Sequence, residues 1–404
     1  MNQRFVLVFI LFCASSILAG CWNRRELNDI AIAVALGFDK SGDQYAVSAQ
    51  IVNPGEVAAK KGGGDKGAPV VTYTEKGDTV FEALRKILTQ SPRKIYLSHV
   101  RIVVFGEELA KEGIGKTLDF LSRDHEMRTD FFIAVAKGIP AEKTLRLYTI
   151  PQEIIPANKL FKSIEAASNA WAVASKVTLD ELIADIVSEG KHPVLTGVGL
   201  AGPKNNEETE TKKNVERIKP ISNLYIRGMA VFKHDKLVGW LNEDESKGYN
   251  YTQGNVKSTV VEVACPKGGK LGVEVVRTKE KVKGKIGKYE RPQIAIELRV
   301  EANVADVECD IDLSRNQSIY ELEKRTEQEI KNVIEAAVQK AQEKYKVDIF
   351  GFGEVFYRSE PKAWKKMKKD WDEQFADLPV NVKVDVKIRR LGTITKSFQD
   401  KLKE

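Results

Sequence analysis

Along Ile294, Ile296, Leu298, Val300, Ala302 and Val304 every second residue is apolar, and Glu297, Arg299, Glu301 and Asn303 fill the gaps. Val380, Val382, Val384, Val386 and Ile388 repeat the pattern against Asn381, Lys383, Asp385, Lys387 and Arg389. Successive strand side chains point to opposite faces, so this period of two predicts antiparallel strands with one dry and one wet face. Two further strands, Lys257 to Cys265 and Leu271 to Val282, are expected to join through Pro266-Lys267-Gly268-Gly269. The dry face needs a cover. Ile319, Leu322, Ile330, Val333, Ile334, Ala337, Val338, Ala341 and Tyr345 form a helical stripe long enough to supply it. Trp364, Met367, Trp371 and Phe375 predict a second helix. Residues 255–404 therefore read as a domain with an antiparallel sheet covered by helices.

Residues 21–150 alternate strand and helix patterns. Ile30 to Phe38 and Tyr45 to Val52 predict a hairpin around Lys40-Ser41-Gly42-Asp43. Lys60 to Gly67 reads as a flexible loop. Val80, Phe81, Leu84, Ile87 and Leu88 fall at helical spacing, and Leu109, Ile114, Leu118 and Leu121 suggest another helix. Val100 to Phe105 and Phe131 to Ala136 are apolar runs of buried-strand length. Residues 151–254 are expected to form a small α+β module. Its helical patterns cover Asn158 to Trp171 and Leu179 to Val187; its short strands are Leu195 to Leu200, Leu224 to Lys233 and Lys236 to Leu241. Asn205 to Lys213 is expected to be an exposed loop. The class is α+β, with three domains built from mixed sheets and helices.

The first twenty residues follow a different grammar. Arg4 precedes the apolar run Phe5 to Phe12, and Ala19 and Gly20 precede Cys21. A charged start, a short apolar stretch and small residues at a cleavage site make a secretory signal, here residues 1–20. Leu18-Ala19-Gly20-Cys21 has the form of a bacterial lipobox, in which lipid is transferred to the Cys21 sulfur. The stretch is shorter than the ~20 apolar residues that span a bilayer. A diacylglycerol on Cys21 supplies two acyl chains, at about 0.8 kcal/mol per buried methylene. No later segment is long and apolar enough to span. Trp22, Arg24 and Arg25 are candidates for contact with the membrane surface, since aromatic rings favour the interface and cations pair with phosphates. Only Trp22 to Asn28 separates Cys21 from the first strand, which predicts an N-terminal domain held close to the bilayer.

Composition narrows the class further. The 404 residues are 42% hydrophobic and 30% charged, which excludes wholesale disorder and a polytopic membrane protein. The net charge of +7 is too evenly spread to argue for nucleic acid. Four cysteines exclude a disulfide-framework protein. With Cys13 removed and Cys21 lipidated, Cys265 and Cys309 remain. The simpler expectation is two small residues buried in or beside a sheet; an exported protein leaves pairing open.

Motifs for chemistry fail on their spacing. Gly197-Val198-Gly199-Leu200-Ala201-Gly202 matches GxGxxG, but Pro203 and a polar stretch follow where a helix must start. Gly115-Lys116-Thr117 lacks the first glycine of a phosphate loop, since Ala110 stands there. His125-Glu126 begins HExxH, but Thr129 replaces the second histidine. Asp306, Glu308, Asp310 and Asp312 alternate, yet Ile311 and Gln317 occupy the glycine and glutamate places of an EF-hand. Lys362, Lys365, Lys366, Lys368 and Lys369 flank Trp364 and read as the solvated face of a core helix, with membrane or partner contact as the alternative. No catalytic, metal or cofactor residues are assigned.

Cys21-Trp22-Asn23-Arg24-Arg25-Glu26-Leu27 resembles the start of the spore germinant-receptor C subunits, the Ger(x)C family of spore germination lipoproteins. The likeness continues through Ser98-His99-Val100-Arg101, Gly106 to Ala110 and Leu118 to Leu121 with Arg123-Asp124. It returns in Val231-Phe232-Lys233, Lys236 to Leu241 and Glu245 to Tyr249. It is densest in Asp348-Ile349-Phe350-Gly351-Phe352-Gly353, Pro361 to Trp364, Trp371-Asp372 and Leu378 to Val382. The resemblance implies three α+β domains, no catalysis and no cofactor. It also implies a lipid-anchored subunit on the outer face of the inner spore membrane, working with membrane-embedded A and B subunits to sense nutrient germinants. The rival classes are an extracytoplasmic solute-binding lipoprotein, which would show two similar α/β lobes, and a cell-wall hydrolase, which would show a metal or carboxylate constellation.

Overall fold

A computed structural model describes residues 3–5, 29–58, 67–265, 268–287 and 291–392. The hairpin β1 (Ile30–Ser41) and β2 (Gln44–Val52) continues into β3 (Val70–Gly77), all antiparallel. Short β4 (Lys94–Tyr96) runs parallel to the first residues of β1. On the other side of β1 lie β5 (Ile102–Gly106) and β6 (Phe132–Ala136), parallel to it and to each other. Every residue of β5 and β6 is buried, as expected of apolar strands covered on both faces. The sheet then takes in β7 (Val194–Ala201), β8 (Asn223–Lys233) and β9 (Lys236–Leu241), in the order β3-β2-β1-β5-β6-β7-β8-β9.

Those last three strands were expected in a separate middle module, yet they extend the first sheet. Val194 to Leu200 are all buried, so β7 needs cover on both faces. Lying parallel beside β6 gives it the helices already packed there.

One face of the large sheet carries α2 (Val80–Lys86), α3 (Glu107–Glu112), α4 (Gly115–Arg123) and α7 (Leu179–Val187); α1 (Pro54–Ala58) follows β2. The other face carries α5 (Ala141–Arg146) and α6 (Pro156–Ala170). The stretch 205–213, expected as an exposed loop, instead makes two 3₁₀ turns tied to the fold. Thr209 and Asn214 are buried, and Glu210 pairs with Lys143 and Arg146, each at 2.7 Å. Glu207, Lys212 and Lys213 face solvent while Thr209, Asn214 and the paired Glu210 anchor it, a division that composition alone hides.

Helix α8 (Glu243–Thr252) leads to the second sheet: β10 (Thr259–Ala264), β11 (Lys270–Ile286), β12 (Pro292–Val307) and β13 (Val380–Arg390), paired in that order. The first three are antiparallel, but β13 lies parallel to β12, with Ile294 opposite Val380. The expected alternation of faces holds for both strands. Their relative direction differs because the chain between them crosses the dry face before returning. That crossover is α9 (Asn316–Gln339) with a π turn to Tyr345, then α10 (Phe352–Ser359), α11 (Pro361–Met367) and α12 (Trp371–Ala376). Leu322, Ile330, Ile334, Ala337 and Val338 of α9 are buried, as their spacing predicts. Cys265 and Cys309 are buried and also form a disulfide, at the end of the sheet where β10 stops and β12 has just ended. The expectation of two unpaired buried cysteines is corrected: the β11–β12 hairpin brings both to one edge. Among the described residues, no helix is long and apolar enough to cross a membrane.

Candidate functional site at the junction of the two sheets

The large sheet and the C-terminal sheet meet along β9, α8 and the segment from Lys340 to Gly353. Tyr345, at the end of the π turn, places its hydroxyl on the edge of β9. It accepts from the Trp240 N–H at 2.9 Å and donates to the Trp240 carbonyl at 2.8 Å. Gly239 lies beneath the ring, where any Cβ would overlap it. Asn242 caps α8 in a reciprocal capping box with Glu245, and buried Glu245 also faces Lys340 at 3.2 Å. The Asn250 amide donates to the Ala172 carbonyl at 2.8 Å, and the Gln253 amide to the Phe350 carbonyl at 3.1 Å.

Asp348 is fully buried at the centre of the turn into α10. Its Oδ1 accepts from the N–H groups of Phe350 (3.0 Å) and Gly351 (2.9 Å); its Oδ2 accepts from the Gly353 N–H (2.8 Å) and the Trp371 indole (3.0 Å). Burial pushes its carboxyl up to about 6, against the opposing pull of the Gly353 N–H and the Trp371 indole. Removal from water is what makes these four donors necessary. Gly353 is required by close approach: a Cβ there would lie 2.6 Å from the Cα of Gly190, in the loop before β7.

Next to this turn is a histidine pair. The His192 N–H donates to the Asp348 carbonyl at 2.8 Å. Its Nδ1 accepts from the His234 N–H at 3.1 Å, which leaves the ring proton on Nε2, 3.5 Å from Asp372 Oδ1. Lys233 reaches Asp372 Oδ2 at 2.7 Å. The hydrogen bond from His192, and then Lys233, hold the Asp372 carboxyl down to about 2, although partial burial works against them. An open cleft of about 1130 Å³ lies alongside, lined by both signs of charge, including Lys346, Lys368 and Glu373.

A histidine beside an aspartate invites comparison with a hydrolytic triad. There, one ring nitrogen must take a proton from a nucleophile while the other is held by the carboxylate. Here Nδ1 is held by a backbone N–H and Nε2 faces the carboxylate, so no nitrogen is left for a hydroxyl. Ser188, on the same cleft, donates instead to Glu354 at 3.0 Å. The arrangement ties α12, the β8–β9 turn and the loop before β7 together, and its chemistry is positioning.

The positions singled out in the sequence are explained in the same way. Cys21, Trp22, Arg24 and Arg25 lie outside the described residues. Gly197 and Gly199 sit within β7, packed against Trp240 and Arg227. Gly115 opens α4, but Asp235 Oδ2 already accepts its N–H at 3.1 Å, so a carboxylate occupies the place of a phosphate. Trp364 and Met367 are buried while Lys362, Lys365 and Lys366 face solvent. No group of three or more metal-ligating side chains gathers among the described residues. His192, His234, Asp348 and Asp372 form a connected polar cluster, and neither histidine stands at a ligand spacing in the sequence. The signal was in the motifs: the segments 231–241, 245–249, 348–353 and 371–372 all converge here.

Residues 23–200 match the spore germination protein N-terminal domain, and residues 227–392 match the spore germination B3/GerAC-like C-terminal domain. The chain is 31% identical to spore germination protein KC of Bacillus subtilis (strain 168), over the full length of both. It belongs to this spore germination family. Within the family it is also 27% identical to the putative spore germination protein YfkR of the same organism, across 96% of this chain and 97% of that one. The crystal structure of the GerBC protein superposes with a TM-score of 0.55 at 19% identity, covering 87% of this chain and 96% of that one. That likeness carries the α+β fold. The family is one of germination proteins of the receptor C-subunit type and is not a known enzyme family. The gap between the two matched domains, residues 201–226, runs from the end of β7 to the middle of β8. The junction is therefore built from both: His192 comes from the first, and His234, Asp348 and Asp372 from the second.

Proposed function

We propose that the chain is the lipid-anchored C subunit of a germinant receptor, acting without catalysis beside membrane-embedded A and B subunits in nutrient-triggered spore germination. The observation that supports this most is the match with spore germination protein KC over the full length of both chains. The lipobox at Leu18 to Cys21 supports attachment through diacylglycerol on Cys21, at the outer face of the inner spore membrane. No nucleic-acid partner is proposed, because the charge is evenly mixed. The polar cluster at the junction favours a scaffold: its groups are spent on one another, and they fix the orientation of the two sheets.

The test is Cys21→Ala in spores carrying this receptor as the sole responder. The variant is expected to leave the membrane fraction, and nutrient-triggered loss of refractility is expected to fall at least tenfold at equal protein levels. Unchanged membrane association would refute lipid-only attachment. Normal germination by a released protein would refute the subunit role.

A further inference from the structure

We propose that the groove between α2 and α4 is the surface this protein lays on an anionic bilayer, so that its N-terminal domain touches lipid through a defined face. The groove has a volume of about 360 Å³, with Phe81, Leu84, Leu88, Ile95, Leu97 and Phe120 on its walls and floor. Phe81 is 49% exposed. Its ring lies 6.1 Å from that of Phe120, so the two make one apolar patch across the groove. The Arg85 guanidinium stands 4.8 Å from the Phe81 centroid. Arg85 and Arg93 are exposed, and neither joins an ion pair among the described residues. Lys94 pairs with Glu126 at 2.6 Å and Arg123 with Asp119 at 2.7 Å, while Asp124 on the same rim accepts from the Glu126 N–H at 2.8 Å. An apolar centre with the exposed Arg85 guanidinium beside it, outside any ion pair, suits the boundary between acyl chains and phosphates.

The place where the chain enters the fold makes the occupant a bilayer. β1 begins at Ile30, and its first three residues pair with Lys94, Ile95 and Tyr96. Ile95 is also part of the groove. The described chain thus starts one strand away from this surface. The seven residues from Trp22 to Asn28 separate it from Cys21, and at about 3.3–3.6 Å per extended residue they reach less than ~30 Å. A lipid on Cys21 therefore keeps the β1 end of the sheet near the headgroups, and Ile95, which pairs with Ala31 at that end, lines the groove.

The inference rests on the Cys21 anchor proposed above, and the experiment reads the two separately. In the mature chain Cys21 carries lipid and Cys265 and Cys309 are bonded, so Phe81→Cys provides a single free thiol. The lipidated full-length variant is labelled with an environment-sensitive fluorophore and reconstituted into vesicles containing 30% phosphatidylglycerol, as about the anionic share of a charged leaflet. Tyr320→Cys, exposed on α9 of the C-terminal sheet, is the control site. Nitroxide-bearing lipid is expected to quench the label at position 81 at least twofold more than at 320. Adding Arg85→Glu is expected to halve that difference, while flotation with the vesicles stays complete. A floating chain with equal quenching at both sites overturns the groove and leaves the anchor standing. A chain that does not float overturns both. Shielding of position 81 in spore membranes, without quenching in vesicles, would assign the groove to a protein partner and overturn the lipid assignment.

Discussion

Asp372 shows how one side chain can make the junction sensitive to acid. Its carboxyl is held down to about 2 by His192 and Lys233, against an ordinary value near 3.8. A carboxyl whose folded value is depressed adds stability that is complete above its unfolded value and is lost as the pH falls through the folded one. The window here runs from about pH 4 down to about pH 2. Taken at face value the shift is worth over 2 kcal/mol, but a third of the side chain meets solvent, and screening leaves about 1 kcal/mol. Asp372→Asn is therefore expected to lower the unfolding free energy by about 1 kcal/mol at pH 5 and by almost nothing at pH 2. Urea unfolding at both pH values measures this, and a difference that stays constant with pH would contradict the ion-pair account. Asp348 differs in kind, because it has no cation, only four N–H donors that its burial makes obligatory. From sequence, Asp348 and Asp372 were visible only as members of motifs. The partners of the Asp372 carboxylate, His192 and Lys233, lie more than a hundred positions away, and even the Trp371 indole on Asp348 is 23 positions off.

The hairpin of β11 and β12 is the longest regular element pair in the chain, with β11 running from Lys270 to Ile286 and β12 from Pro292 to Val307. One face packs under α9 and the other stays wet, so the hydrophobic term is supplied by a single side. The Cys265–Cys309 bond secures the end far from the turn. It closes a separation of 44 residues, between the loop lengths for which chain entropy gives about 3 and about 4.7 kcal/mol. Cys265→Ser with Cys309→Ser is expected to lower stability by up to about 4 kcal/mol while keeping the far-ultraviolet signature of the fold. Chemical denaturation of the two forms decides it; equal midpoints would show that the bond does not constrain the unfolded chain. The alternation along both strands was legible because each position reports its own exposure. The pairing was not, since alternation is blind to which strand lies alongside. The same blindness hid the parallel placement of β13, whose own pattern is identical in either direction.

Across the whole molecule, the two sheets are joined at the junction. Tyr345 reaches across it, bonded to both backbone groups of Trp240 over Gly239. Gly239→Val would push the ring off β9 and free both hydrogen bonds. The expected cost is about 4 kcal/mol, from overpacking of about 1–3 kcal/mol and about 1 kcal/mol for each of the two lost bonds. Tyr345→Phe, which keeps the ring, should cost about half as much. The readout specific to the junction is hydrogen exchange of the segment 340–353, which should rise more in Gly239→Val than exchange in β5 and β6. Uniform exchange changes would mean that the contact contributes to stability without joining the two halves.

The sequence by itself determined the strands and helices, the α+β class, the dry and wet faces of the C-terminal sheet, and the family motifs. Each of these follows from local chemistry: periodicity records which side of an element meets water, and spacing records which ligand sets are missing. Only the tertiary structure decided that β7, β8 and β9 extend the first sheet, that β13 returns parallel to β12, and that Cys265 meets Cys309. It also decided that the motif segments gather at one junction. These are properties of long-range pairing. Loop-closure entropy grows so slowly with length that a distant partner costs little more than a near one. The choice therefore falls to the total area that can be buried, which is a sum over the whole fold and is written at no single position in the chain.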